Sequence, residues 1–174
     1  MAKLLIRLFD RINEIAGRSV SWLTLLLVLL VSCDVAMRYI FNISFVAVQE
    51  LEWHIFSIIF LIGAGYTLKQ NGHVRVDLIY QRLNKRHRAW IDLLGCIFFL
   101  FPGCFLVIKT SIPFVLNSFY IHEGSPDPGG LPARYILKST IIIGFLLLLF
   151  QGTALFLRRL LFLLNINDSD KESV

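Results

Sequence analysis

The sequence predicts an all-α integral membrane protein: four transmembrane helices, both termini in the cytoplasm, and an N-terminal amphipathic helix at the interface. Three observations predict it. The 174 residues are 56% hydrophobic and only 17% charged, whereas a soluble domain averages about a quarter charged. The apolar residues gather into four runs, near residues 20–39, 51–68, 90–108 and 135–156. At ~1.5 Å rise per residue, runs of roughly 18 to 22 residues cover the ~30 Å hydrocarbon core of a bilayer. The basic residues, finally, favour alternate ends of these runs. Lys3, Arg7, Arg11 and Arg18 precede the first. Lys69, Arg75, Arg82, Lys85, Arg86 and Arg88 lie between the second and third, and Arg158, Arg159 and Lys171 follow the fourth. Only Arg38, Lys109, Arg134 and Lys138 fall on the other side. Thirteen of the 17 basic residues therefore mark the termini and middle loop as cytoplasmic, because short cytoplasmic loops carry the Lys/Arg excess. The net charge of +5 is this topology signal and gives no sign of nucleic-acid binding. Residues 1–174 read as one membrane domain.

Within residues 1–18, Lys3, Arg7, Asp10, Arg11, Glu14 and Arg18 recur at helical spacing opposite Leu4, Leu5, Leu8, Ile12 and Ile15. A short cationic amphipathic helix before a span is expected to lie among lipid headgroups. The segment does not read as a signal peptide. "LVSC" at Cys33 resembles a lipoprotein cleavage box, but the region before it is long and partly acidic, and the apolar helix runs on past it. Span one closes at Arg38, with Asp34 one turn earlier as an i,i+4 partner. Span two opens with "QELEWH", acids in its first turn facing the positive end of the helix dipole and Trp53 in the interfacial belt. Gly63-Ala64-Gly65 offers a small-residue face for close helix approach.

Asn71-Gly72 is a C-cap signal, and Asp77 can cap a short helix over residues 78–83. Arg88 and Asp92 are spaced to pair as span three begins. Pro102-Gly103 predicts a kink in that span, which extends past Lys109 toward Asn117. The loop "EGSPDPGGLPARY" should be irregular but stiff, with Pro132 in the first turn of span four. Residues 165–174 read as a disordered polar tail.

Several chemistries find little support. His73, Arg75 and Asp77 look like a catalytic kit, but nothing nearby forms a pocket. Cys33, Cys96 and Cys104 lie in spans without a CxxC pair, so packing is the expected role. A membrane haem needs two deep histidines, and only His54 lies in a span, near its end. No cofactor, metal or enzymatic activity is expected. A transporter working alone carries acids or broken helices at mid-depth, often in repeated halves, and these spans are nearly charge-free there. An accessory subunit fits better. A stand-alone four-helix transporter acting as a homo-oligomer is the second reading.

The order of motifs carries a resemblance. "RYIFN", "QELEWHIFSIIFLIGAGYTL", "GHVRVD", "AWIDLLG" and "SPDPGGLPARY" together resemble the small membrane subunit of tripartite ATP-independent periplasmic (TRAP) transporters, the DctQ family, over about residues 32–157. The resemblance implies a scaffold in a prokaryotic inner membrane that braces a large multi-span elevator subunit. It also implies a periplasmic binding protein that delivers a small organic anion (a carboxylate or sulfonate) for sodium symport. Lipid is the remaining partner, and nucleic acid is not one. On the resemblance, Arg38, Glu50, His73 and Asp77 match family positions and are expected to be structural or to face the large subunit. Arg38 and Glu50 would pair with each other or with that subunit. Glu123, Asp127 and Arg134 are candidates for docking the binding protein, against a plain turn-rich connector.

Overall fold

The computed structural model of the chain describes residues 1–70 and 83–164. Its helices are α1 (Ala2–Ile40), α2 (Val46–Lys69), α3 (Lys85–Gly95), α4 (Phe101–Tyr120) and α5 (Arg134–Leu163). A π-helical turn, Cys96–Leu100, joins α3 to α4 into one 36-residue span. Four helices are thus long and apolar enough to cross a membrane, and no strand occurs among the described residues.

The π turn falls just before Pro102, where the sequence predicts a kink. Proline has no N–H to donate and has already removed one ladder hydrogen bond. There the helix widens, with Phe101 N–H donating five residues back to the Cys96 carbonyl. The expected cap at Asn71-Gly72 and the short helix after Asp77 lie outside the described residues, as does the 165–174 tail.

α1 corrects the expected separation of an interfacial helix from span one. It is a single 39-residue helix. Only part of its polar face turns inward: Asp10 and Glu14 are half-buried beside the buried Asn13 and Gly17, while Lys3, Arg7, Arg11 and Arg18 are exposed, as are Leu4, Leu8 and Ile15. Asp10 pairs with Arg158 of α5 (2.7 Å) and Glu14 pairs with Lys69 of α2. In hydrocarbon a polar helix face gains more from other helices than from lipid tails. These pairs also put the start of α1 and the ends of α2 and α5 at one end of the bundle. The 121–133 loop lies at the opposite end.

α5 is the hub. It packs against α1, α2, α3 and α4. Of its most apolar stretch 39% is buried, against 11% in α1 and in α2. The layering inverts that of a soluble protein. Leu25, Leu29, Phe60, Phe98 and Phe105 are exposed, while Asn13, Asp34, Glu50, Thr140 and Gln151 are buried. Many hydroxyls return to a carbonyl of their own helix, among them Ser57 to Trp53, Thr67 to Gly63 and Thr153 to Leu149, so these hydroxyls do not need water.

Two of the glycines lie against the backbone of a neighbouring helix. A Cβ on Gly144 of α5 would sit 2.6 Å from the Leu61 carbonyl oxygen of α2. One on Gly65 would sit 2.1 Å from Asn13 Oδ1 and 3.1 Å from the Leu147 carbonyl oxygen. Of the Gly63-Ala64-Gly65 face, Gly65 serves the protein's own packing. Gly63 opens on a groove between α1 and α2 with nothing within 4 Å of a Cβ. Gly144→Ala is expected to lower the unfolding temperature in detergent clearly, at a cost of about 1–3 kcal/mol for overpacking. Gly63→Ala should leave it unchanged, and equal effects would refute this account.

Candidate functional site

Glu50 lies deeper in α2 than the sequence suggests. Phe45 is extended and ends the preceding segment, so the helix begins at Val46 and carries no acid in its first turn. Glu50 therefore does not sit on free N–H groups of the helix start. Its side chain points into the bundle, 5% exposed, and meets the 121–133 loop. Ser125 Oγ donates to Oε1 (2.5 Å), Arg134 Nη2 donates to the same oxygen (2.9 Å), and the Leu131 backbone N–H donates to Oε2 (2.5 Å). Both oxygens are engaged by donors from loop and α5, which satisfies the lone pairs that burial would otherwise leave open. The Arg134 guanidinium also lies 5.7 Å from the Trp53 ring centroid.

The loop is shaped to reach this carboxylate. Ser125 N–H donates to the Leu131 carbonyl and Gly130 N–H to that of Asp127, both at 3.0 Å, while Asp127 N–H donates to Ser125 Oγ at 3.1 Å. A Cβ on Gly130 would lie 2.3 Å from Ser125 Oγ and 2.8 Å from Glu50 Oε2, so only glycine fits. Pro132 falls before the helix rather than in its first turn, because α5 starts at Arg134 after Ala133, held at φ 62. That left-handed conformation is uncommon outside glycine. Arg134 N–H, donating to the Glu123 carbonyl at 2.9 Å, closes the loop's base.

A second anchor holds the loop's start. Lys138 of α5 pairs with Glu123, and its ammonium lies 4.0 Å from the Phe114 ring centroid. Phe119 meets Tyr135 edge to face at 5.2 Å. The loop is thus fixed at 123, 125, 131 and 134, leaving Pro126, Asp127, Pro128 and Gly129 as an exposed tip. Of the three docking candidates, Asp127 is exposed, whereas Glu123 and Arg134 are engaged inside. This arrangement fixes a loop. It has no open coordination for a metal: among the described residues, no three of His, Cys, Asp and Glu converge.

The DctQ family, described as "Tripartite ATP-independent periplasmic transporters, DctQ component", matches residues 27–162. The chain belongs to this family. It is a small membrane subunit of a TRAP transporter, a component of a transport system with a large membrane component and a periplasmic binding component. Comparison with curated proteins finds no match.

The match takes in Arg38, Glu50, His73 and Asp77 of this DctQ subunit, and the structure places two of them. Arg38 pairs with Asp34 on its own helix, the carboxylate 4% exposed and the guanidinium 47%. Glu50 turns to Arg134 instead of Arg38. His73 and Asp77 lie outside the described residues. Sequence reasoning missed Ser125, Leu131 and Lys138 as partners of the loop. It also missed the opposite end, where Asp10 accepts from Gln151 (2.9 Å) as well as Arg158, and Asp92 accepts from Arg159 (2.9 Å).

Two tests follow from the loop's anchors. Glu50→Ala should cost about 3 kcal/mol, the scale of a buried pair left with one charge. It should also speed proteolysis within residues 121–133, and unchanged cleavage would refute the tie. Lys138, pairing with Glu123, holds that carboxyl below its ordinary value of 4.5. A depressed carboxyl contributes stability above the ordinary value and loses it as pH falls through the folded value. Loop protection should therefore weaken as pH drops below about 4.5, and Glu123→Gln should flatten that dependence.

Proposed function

We propose that this subunit is a fixed scaffold for the large membrane component, in a transporter that imports a small organic anion, a carboxylate or sulfonate, by sodium symport. A periplasmic binding protein delivers the anion. In this reading the 121–133 loop faces the periplasm and both termini face the cytoplasm of a prokaryotic inner membrane, as the distribution of Lys and Arg favours. Asp127 at the loop tip touches the binding protein, while Glu123 and Arg134 hold the tip in place. His73 and Asp77 belong to the cytoplasmic connector and face the large component or stay structural.

The observation that carries the reading is where the charges go. The carboxylates of Asp10, Asp34, Glu50, Asp92 and Glu123 are matched by cations of this same chain, near the helix ends. Substrate and ion sites of secondary transporters lie near mid-depth. The residues this chain presents between its two charged ends are mostly hydrocarbon, which suits bracing rather than carrying a solute.

Reconstitution tests it. Vesicles holding this subunit alone, with a sodium gradient and radiolabelled succinate, lactate and taurine, should show no flux. Vesicles that also hold the large component, supplied with the binding protein, should take up one of these anions with sodium. Flux by the small subunit alone would favour the homo-oligomeric transporter.

A further inference from the structure

Lys109 stands apart from the other intramembrane cations. Arg38, Lys69, Arg134, Lys138, Arg158 and Arg159 each have a carboxylate partner. Lys109 is exposed on α4 and has no hydrogen bond, ion pair or ring contact among the described residues.

Its depth makes that costly. The ring of Phe114 on the same helix marks the level of the Lys138 ammonium. Lys109 lies five residues further from the loop end, so about 7 Å deeper at ~1.5 Å per residue. It is also eleven residues, roughly 16 Å, inside the end of α4 at Tyr120. Its surroundings are apolar. Pro102, Phe105, Leu106, Lys109, Pro113 and Leu116 recur at three- and four-residue spacing, which puts them on one face, and all six are exposed. Pro113 lies inside α4 and has no N–H for the carbonyl four residues back, which is that of Lys109 itself. One position of this face thus offers both an ammonium and a backbone acceptor whose usual donor is missing. Ionisable side chains at such depth almost always find a protein partner, and bare backbone acceptors are met by neighbouring helices.

We infer that the α4 face carrying Lys109 is the contact surface for a transmembrane helix of the large component, and that this helix presents an acidic side chain at the depth of Lys109. The inference rests on the proposed scaffold role. Charge complementarity selects the occupant. Among the described residues no carboxylate meets Lys109, and lipid tails carry none at that level.

The experiment uses the assembled transporter, purified through a tag on the small subunit. Lys109→Leu keeps the face apolar and removes the charge. The large component retained should fall at least tenfold, while Lys109→Arg retains it and the unfolding temperature of the isolated Lys109→Leu subunit stays at the wild-type value. In a second arm Lys109 is left intact, and a benzophenone amino acid replaces Leu106 or Leu116. Illumination should give an adduct with the large component, identified by mass. Wild-type retention with Lys109→Leu, or adducts with lipid only, would overturn the inference and leave Lys109 reaching toward the headgroups. If the wild-type subunit retains no large component, the scaffold reading falls with it.

Discussion

The thickness of the bilayer's hydrocarbon core is the constraint on which this structure depends, and α5 is cut to it. Lys138 and Arg158 lie twenty residues apart on that helix, about 30 Å at ~1.5 Å per residue, which is the core's thickness. Beyond each stands a second base, Arg134 at one end and Arg159 at the other. Each of the four takes a carboxylate from elsewhere: Glu50 of α2, Glu123 of the loop, Asp10 of α1 and Asp92 of α3. On α5 charge is excluded from the middle, gathered at two levels, and used there to join each helical segment before α4 to α5. Sliding one helix by a turn, ~5.4 Å, would pull such pairs apart and leave partly buried charges unpaired. A bundle tied at both levels is suited to standing still.

The spans were legible in the sequence because the signal for them is local. A run of apolar residues of bilayer length needs no partner to be recognised, and the Asp34–Arg38 pair follows from i,i+4 spacing alone. The charge layers were less legible for the opposite reason. Glu50 finds Arg134 at a separation of 84 residues, and Asp10 finds Arg158 at 148. No periodicity within one element encodes such distances. The residues were visible as acids and bases near helix ends; which base belonged to which acid was not.

α1 shows how one amphipathic pattern can serve two surroundings. Of the polar face Lys3, Arg7, Asp10, Arg11, Glu14 and Arg18, the two acids reach other helices beside the buried Asn13 and Gly17, while the four bases stay exposed, as do Leu4, Leu8 and Ile15. For a helix lying on a membrane, the polar face goes to water. In a helix that continues unbroken to Ile40, the bases stay exposed while Asp10, Asn13 and Glu14 meet other helices. Gly17 and Gly65 allow that meeting. Tyr66 occupies the space a side chain at 17 would need, and Asn13 the space of one at 65. The small residues and the polar ones are parts of one contact.

Closing its own charges also limits how such a subunit can recognise a partner. An assembly surface cannot draw on carboxylates and bases already joined to α5 without loosening the bundle. It must use what packing leaves over. On the exposed side of α4 that is Lys109 and a carbonyl deprived of its donor by Pro113, set among Phe105, Leu106 and Leu116. At the loop end the tip around Asp127 is likewise left exposed. A lone charge in an apolar surround discriminates strongly, because a partner lacking the complementary group leaves it unpaired in hydrocarbon. The same isolation that makes Lys109 costly in the free subunit is what gives its face selectivity.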